Sequence, residues 1–206
     1  MKNILFAASI ILAAAISTAE TAADSLSDLA FLKDFCGTMP QDDTCMAKFV
    51  AMPKDEQMLV YIVSAARIVY AEGINDMQKG VTRPKRAAAI CKLLPHGPVS
   101  GWTGKISTLS TNGDGKGVVA IEIAPDVHVM TYNNSFSDDV GGWETLIAPS
   151  SPVYRKALSL SVGQSVKFSG LLFGSDVDCL KELSMTLEGS IKQPDFLMRF
   201  SDIGAD

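Results

Sequence analysis

The sequence predicts an α+β fold: a helical subdomain over residues 24–95, then an antiparallel β-barrel of five to six strands over residues 100–203, with one helix between strands three and four. Three observations predict it. Apolar residues recur at helical spacing as far as Leu94, and from Trp102 onward they alternate with a period of two. Between the two regimes stands Pro95-His96-Gly97-Pro98, which breaks either pattern.

In the helical half, Ser25 with Asp28 three places on opens a first helix, whose face carries Leu26, Leu29, Ala30 and Lys33 before Gly37 ends it. Asp42-Asp43-Thr44 opens a second, carrying Cys45, Met46, Phe49 and Val50, and Pro53 stops it. A third starts near Asp55. Met58, Leu59, Tyr61, Ile62, Val63, Ala65, Ala66, Ile68 and Val69 make it apolar almost all round, so it should be the buried centre of this half. Pro84 starts a fourth, with Ala87, Ala88, Ile90, Cys91 and Leu94 on its inner face.

The strands follow. Trp102, Gly104, Ile106 and Leu109 lie on one that ends in the turn Asn112-Gly113-Asp114-Gly115-Lys116-Gly117. Val118 to Ile123 is the second, Pro125-Asp126 turns it, and Val127 to Tyr132 runs back. Asn133 to Gly142 reads as a polar loop. Ser150-Ser151-Pro152 opens a helix with Val153, Ala157 and Leu160 at helical spacing, closed by Gly163. Gln164 to Phe173, Ser184 to Ile191 and Phe196 to Phe200 complete the strands.

Three strands, a helix and two or three further strands is the order of the OB barrel. Trp102-x-Gly104-x-Ile106 resembles a first strand of that fold. Leu160-x-x-Gly163-x-x-Val166-x-Phe168-x-Gly170 is similar to the approach to strand four in exported bacterial OB-fold domains, including the tRNA-anti-like family. The resemblance covers roughly residues 100–203 and implies an OB-like barrel. The segment Ser184 to Ile191 would add a strand to the minimal barrel.

Residues 1–19 read as a secretory signal peptide. Lys2 supplies a positive start, Ile4 to Ile16 is apolar but for Ser9, and Ser17-Thr18-Ala19 supplies small residues for cleavage after Ala19, with Ala22 or Ala23 as alternatives. The apolar run is shorter than the roughly 20 residues a spanning helix needs. No cysteine follows it closely enough for lipidation, so the mature chain is expected free in the periplasm or secreted. The formal charge of −5 becomes more negative once Lys2 is removed. That balance excludes a general nucleic-acid binder and disfavours anionic membranes. Cys36, Cys45, Cys91 and Cys179, an even count in an exported chain, read as two disulfides. Three pairings are open, and the local one, Cys36–Cys45 with Cys91–Cys179, is preferred.

Candidate chemistry is sparse, and no cofactor or metal is expected. Counting Gly115 as the sixth position of a calcium loop puts Ser110 first and Ile121 twelfth, so both key ligands are missing and a glycine-rich hairpin is the better reading. Ser, His and Asp occur without a Gly-x-Ser-x-Gly elbow, and no Cys-x-x-Cys is present. The chain is therefore read as a non-enzymatic binding module for a protein or cell-envelope ligand. Two alternatives are an envelope hydrolase using His128 with Asp126 or Asp138, and an inhibitor or immunity-type protein of an exported partner. Ligand contact is assigned to the strand-two/three face and to the loop after strand three, through Tyr132, Asn133, Asn134, Phe136 and Trp143, with Asp138 and Asp139 beside them. Aromatics beside amides can stack on a sugar, peptide or base. The plainer reading is that Phe136 and Trp143 pin the loop to the barrel. Lys79, Arg83, Lys85, Arg86 and Lys92 form a basic cluster, read as a solvated face or, more sharply, as a docking patch for an acidic partner or for lipid headgroups.

Overall fold

The computed structural model describes residues 30–37, 43–93 and 97–206. The expected signal peptide, the start of the first expected helix, Leu94 and His96 lie outside the described residues. A helical N-terminal part is followed by a five-stranded, mostly antiparallel sheet.

Residues 30–36 form α1, and the Gly37 N–H donates to the Lys33 carbonyl to end it. After it come α2 (Asp43–Ala51) and α3 (Lys54–Glu72), with Pro53 at the α3 N-cap. Phe31, Phe35 and Phe49 bring their rings within 4.9–5.7 Å of one another, and the Cys36–Cys45 disulfide ties α1 to α2 beside them. α3 is the centre of this half, burying Leu59, Val60, Ile62, Val63 and Ala66, although Tyr61 and Val69 remain exposed. A short α4 (Asp76–Gly80), absent from the sequence reading, is capped by Asn75, whose side chain accepts from the Gln78 N–H. α5 (Thr82–Leu93) buries Ala87 and Ile90, but Ala88, expected on its inner face, is exposed.

The strands are β1 (Gly97–Thr111), β2 (Gly117–Ala124), β3 (Val127–Met130), β4 (Ser165–Leu172) and β7 (Asp195–Ala205), in the closed order β1-β2-β3-β7-β4. Only the β3–β7 pair is parallel. A register shift between Ile106 and Thr108 changes the parity of β1, which is why Trp102, Ile106 and Leu109 all face apolar neighbours. Gly104 is required by close approach: a Cβ there would lie 2.5 Å from Ile121 and 2.7 Å from the Glu122 carbonyl. Trp102, Phe168 and Phe200 pack edge to face inside. Each such fully buried side chain contributes roughly 1.5–3 kcal/mol.

Two short helices, not one, separate β3 from β4: α6 (Ser135–Val140) and α7 (Pro152–Ala157). Ser151 caps α7 as expected, but the helix ends at Ala157, well before Gly163. A small hairpin, β5 (Gly174–Ser175) with β6 (Cys179–Leu180), precedes α8 (Leu187–Lys192). The strand expected over Ser184 to Ile191 is therefore incorrect. The Thr186 hydroxyl accepts from the Gly189 N–H and caps a helix, and Met185, the second residue of the expected strand, is 97% exposed. Among the described residues no helix is long and apolar enough to cross a membrane.

Both halves share one apolar core. α3 reaches the barrel through two polar side chains. The Arg67 guanidinium donates to the carbonyls of Pro125, Asp126 and Lys192 and pairs with Asp34. Glu56, fully buried, accepts the Thr103 N–H with both carboxylate oxygens, at 3.0 and 3.1 Å. Burial pushes the Glu56 pKa from its ordinary 4.5 up to about 8, with Asp55 and Asp206 adding repulsion. A folded pKa above the unfolded one means the stabilisation is complete below about pH 4.5 and is lost as pH rises through 8. The loss should be on the order of a few kcal/mol. Glu56→Gln should remove that decline, so urea unfolding at pH 5 and pH 8.5 should show the variant gaining on the wild type at the higher pH. Parallel profiles would assign the titration elsewhere.

Candidate functional site

The loop over residues 131–146 leaves β3, forms α6 and returns to the barrel, where Ile147 bridges to Gly117 of β2. Its shape is set by Asp138. That carboxylate is 1% exposed and accepts from the Thr145 N–H, the Thr145 hydroxyl and the Leu146 N–H at 2.7, 2.7 and 3.1 Å. Asn134 caps α6 by accepting from the Ser137 N–H and donates to the Asn133 side chain, so the segment read as an irregular loop contains a helical turn. Tyr132 is half-buried, its N–H bonded to Thr145; burial and the Asp138 charge hold its phenol above the usual pKa.

The rings expected together are separated. Trp143 packs edge to face on Phe173 at 5.0 Å, not on Tyr132 or Phe136. The Lys181 ammonium lies 5.7 Å from the Trp143 ring and the Arg199 guanidinium 5.3 Å from the Phe173 ring. Arg199 also donates to the Trp143 carbonyl and lies 3.5 Å from Glu144. Only glycine fits at 141, because a Cβ there would overlap the Trp143 indole at 1.7 Å. Phe136, by contrast, is 77% exposed on α6. Trp143 thus pins the loop to the barrel while remaining half-exposed, whereas Phe136 pins nothing. β2 is buried at every position except Glu122, so the loop, rather than that strand, carries the accessible side chains.

His128 takes neither expected carboxylate as its partner. Its Nδ1 lies 3.1 Å from Asp195, a contact that raises the imidazole pKa against the opposing effect of burial, while Asp138 is committed to Thr145 and Leu146. The basic cluster also needs correction, because two of its members are committed to internal partners and one of these is buried. Arg83 is bidentate to Asp178 at 2.7 Å, and Arg86, fully buried, donates to Glu182 and to the Ser190 carbonyl. Lys85 and Lys92 remain exposed, and Lys79 lies over the Tyr70 ring. The Asn112–Gly117 turn is held internally: Asn112 accepts from the Asp114 and Lys116 N–H groups. Among the described residues no cluster of three or more His, Cys, Asp or Glu side chains could hold a metal.

Lys181, Arg199, Asp178 and Glu182 were missed by sequence reasoning. One signal was present for the last two. Asp178 and Glu182 flank Cys179, and Arg83 and Arg86 precede Cys91, so the preferred disulfide already aligned opposite charges. No protein-family model, curated protein or solved structure matches the chain.

Proposed function

We propose that this is an exported, non-catalytic binding module. An OB-like barrel presents the 131–146 loop to a protein or cell-envelope ligand, and the disulfide-tied helical half braces it. The strand order β1-β2-β3-β7-β4, with the parallel β3–β7 pair and a helix before β4, supports the OB-like reading. The two disulfides support export, where oxidation is stable.

The observation that carries the function is the exposure of Phe136 on a loop that is otherwise rigidly pinned. Asp138 and Trp143 fix the backbone while the phenyl ring stays in solvent, an arrangement that sets a large apolar contact at little further ordering cost. A photo-crosslinking phenylalanine analogue at position 136 or 143 should give one adduct in the native compartment, competed by added unlabelled protein. The same analogue at Met185, which is 97% exposed, should not. No adduct at 136 and 143, or equal adducts at 185, would sink the binding-module reading.

A further inference from the structure

α6 is built inside out. Phe136 and Val140, four residues apart and so on one face, are 77% and 73% exposed, while Asp138 between them is turned inward and fully bonded. A helical turn that buries its carboxylate and presents its apolar face has an outward contact as its simplest use. α6 is also fastened to the β1–β2 turn, because Asn112 donates to the Ser135 hydroxyl at 2.9 Å and that hydroxyl bonds Asp114. The residues that flank this turn, Thr111 and Gly117, line a cavity of about 220 Å³ walled by Leu109, Val119, Tyr154 and Leu160. Leu158, 74% exposed, forms part of its edge. α6 and the apolar cavity therefore both adjoin the β1–β2 turn.

Size and charge select the occupant. The cavity is below the range of a typical small-molecule site but suits one aromatic or branched side chain, which favours a polypeptide. Residues 131–146 hold no lysine or arginine, and of their acids Asp138 is buried and bonded and Glu144 lies 3.5 Å from Arg199, which leaves Asp139, 68% exposed with Lys116 at 4.0 Å, as the charge facing solvent. The whole chain is acidic as well. An anionic lipid surface would be repelled, and a basic partner would be steered in. We propose that the surface beside the β1–β2 turn docks a basic segment of a partner polypeptide. One apolar side chain of that segment enters the cavity beside Tyr154, Phe136 and Val140 pack on its flank, and lysine or arginine meets Asp139. This rests on the binding-module reading and names its partner chemistry.

The test uses the purified mature chain with both disulfides formed and two synthetic probes: a peptide with a leucine–phenylalanine core flanked by lysines, and its counterpart flanked by glutamates. In an amide NMR titration the lysine peptide should shift Gly117, Tyr154 and the α6 residues, and the glutamate peptide should not. Phe136→Ser and Asp139→Lys, both at exposed positions and so expected to fold, should each weaken the lysine peptide about tenfold. Equal binding by the two peptides, unchanged affinity in Phe136→Ser, shifts confined to Trp143 and Lys181, or no binding would each overturn the proposal. Adducts at 136 or 143 in the crosslinking experiment would leave the binding-module reading standing in all four cases.

Discussion

Arg86→Met is expected to lower the unfolding free energy by about 3–5 kcal/mol, although methionine nearly fills the same space. The guanidinium has no exposed surface, donates to the equally buried Glu182 carboxylate and to the Ser190 carbonyl, and lies 3.8 Å from Asp178 and 6.0 Å from the Phe196 ring centre. Methionine keeps the packing and removes every donor. Glu182 would then be a buried carboxylate without its cation. Burial already raises its pKa while Arg86 opposes the rise, so the variant should take up a proton at Glu182 and lose stability more steeply with increasing pH. Arg86→Met with Glu182→Leu should recover most of the loss, because removing both members of a buried pair leaves no orphaned charge. Urea unfolding of the two single variants and the double variant forms the cycle. A single variant within about 1 kcal/mol of the wild type would mean that Arg86 does not hold Glu182 as drawn.

The buried pair shows where a sequence stops being readable. Thr82-Arg83-Pro84-Lys85-Arg86 is as polar as any solvated helix start, and apart from the Cys91–Cys179 pairing nothing in the sequence places Asp178 and Glu182 over it. The long elements were legible for the opposite reason. α3 and α5 repeat an apolar pattern over several turns between clear breakers, and β1, β2 and β4 alternate or run branched between glycines and prolines. α4, α6 and α8 span five or six residues, too few for a period to register. Their caps were the available signal: Asn75, Asn134 and Thr186 each accept from the N–H three residues on. Within Ser184 to Ile191 the apolar residues Met185, Leu187 and Ile191 all fall on alternate positions, the parity of a strand, and Thr186 was the opposing signal.

The same limit applies to the loop. Phe136 and Trp143 were visible as aromatics in a polar stretch, but their different fates were not. Trp143 turns inward because Gly141 leaves room for its indole and because Phe173 between β4 and β5, Lys181 just after β6 and Arg199 on β7 lie opposite. Those neighbours are long-range. The helical half has an equally long-range role: Arg67 gathers the β2–β3 turn and α8, Glu56 meets β1, and α5 binds the β5–β6 hairpin. It grips the barrel on several sides, while Phe136 and Val140 of the loop stay exposed.

The strongest covalent part of that grip is Cys91–Cys179, and removing it should have the second large effect. The two residues are 88 apart, against 9 for Cys36–Cys45. In the chain-entropy account, opening the long loop costs about 4–5 kcal/mol and opening the short one about 2.5–3 kcal/mol. Cys91→Ala with Cys179→Ala should therefore lower the urea midpoint clearly more than Cys36→Ala with Cys45→Ala, and hydrogen exchange should rise first in α5 and the β5–β6 hairpin. Cys179 also sits at φ +66°, in the left-handed region that alanine disfavours, so the turn carrying Asp178 loses a tether and keeps its strain. Asp178 faces Arg83 and Arg86, which means that the disulfide and the charged cluster hold the same two segments together. Their losses should not add: combining Arg86→Met with the Cys91/Cys179 pair of substitutions should cost measurably less than the sum, provided the chain still folds at low temperature. Strict additivity, or an equal cost for the two disulfides, would show that the helical half is not secured to the barrel at this point.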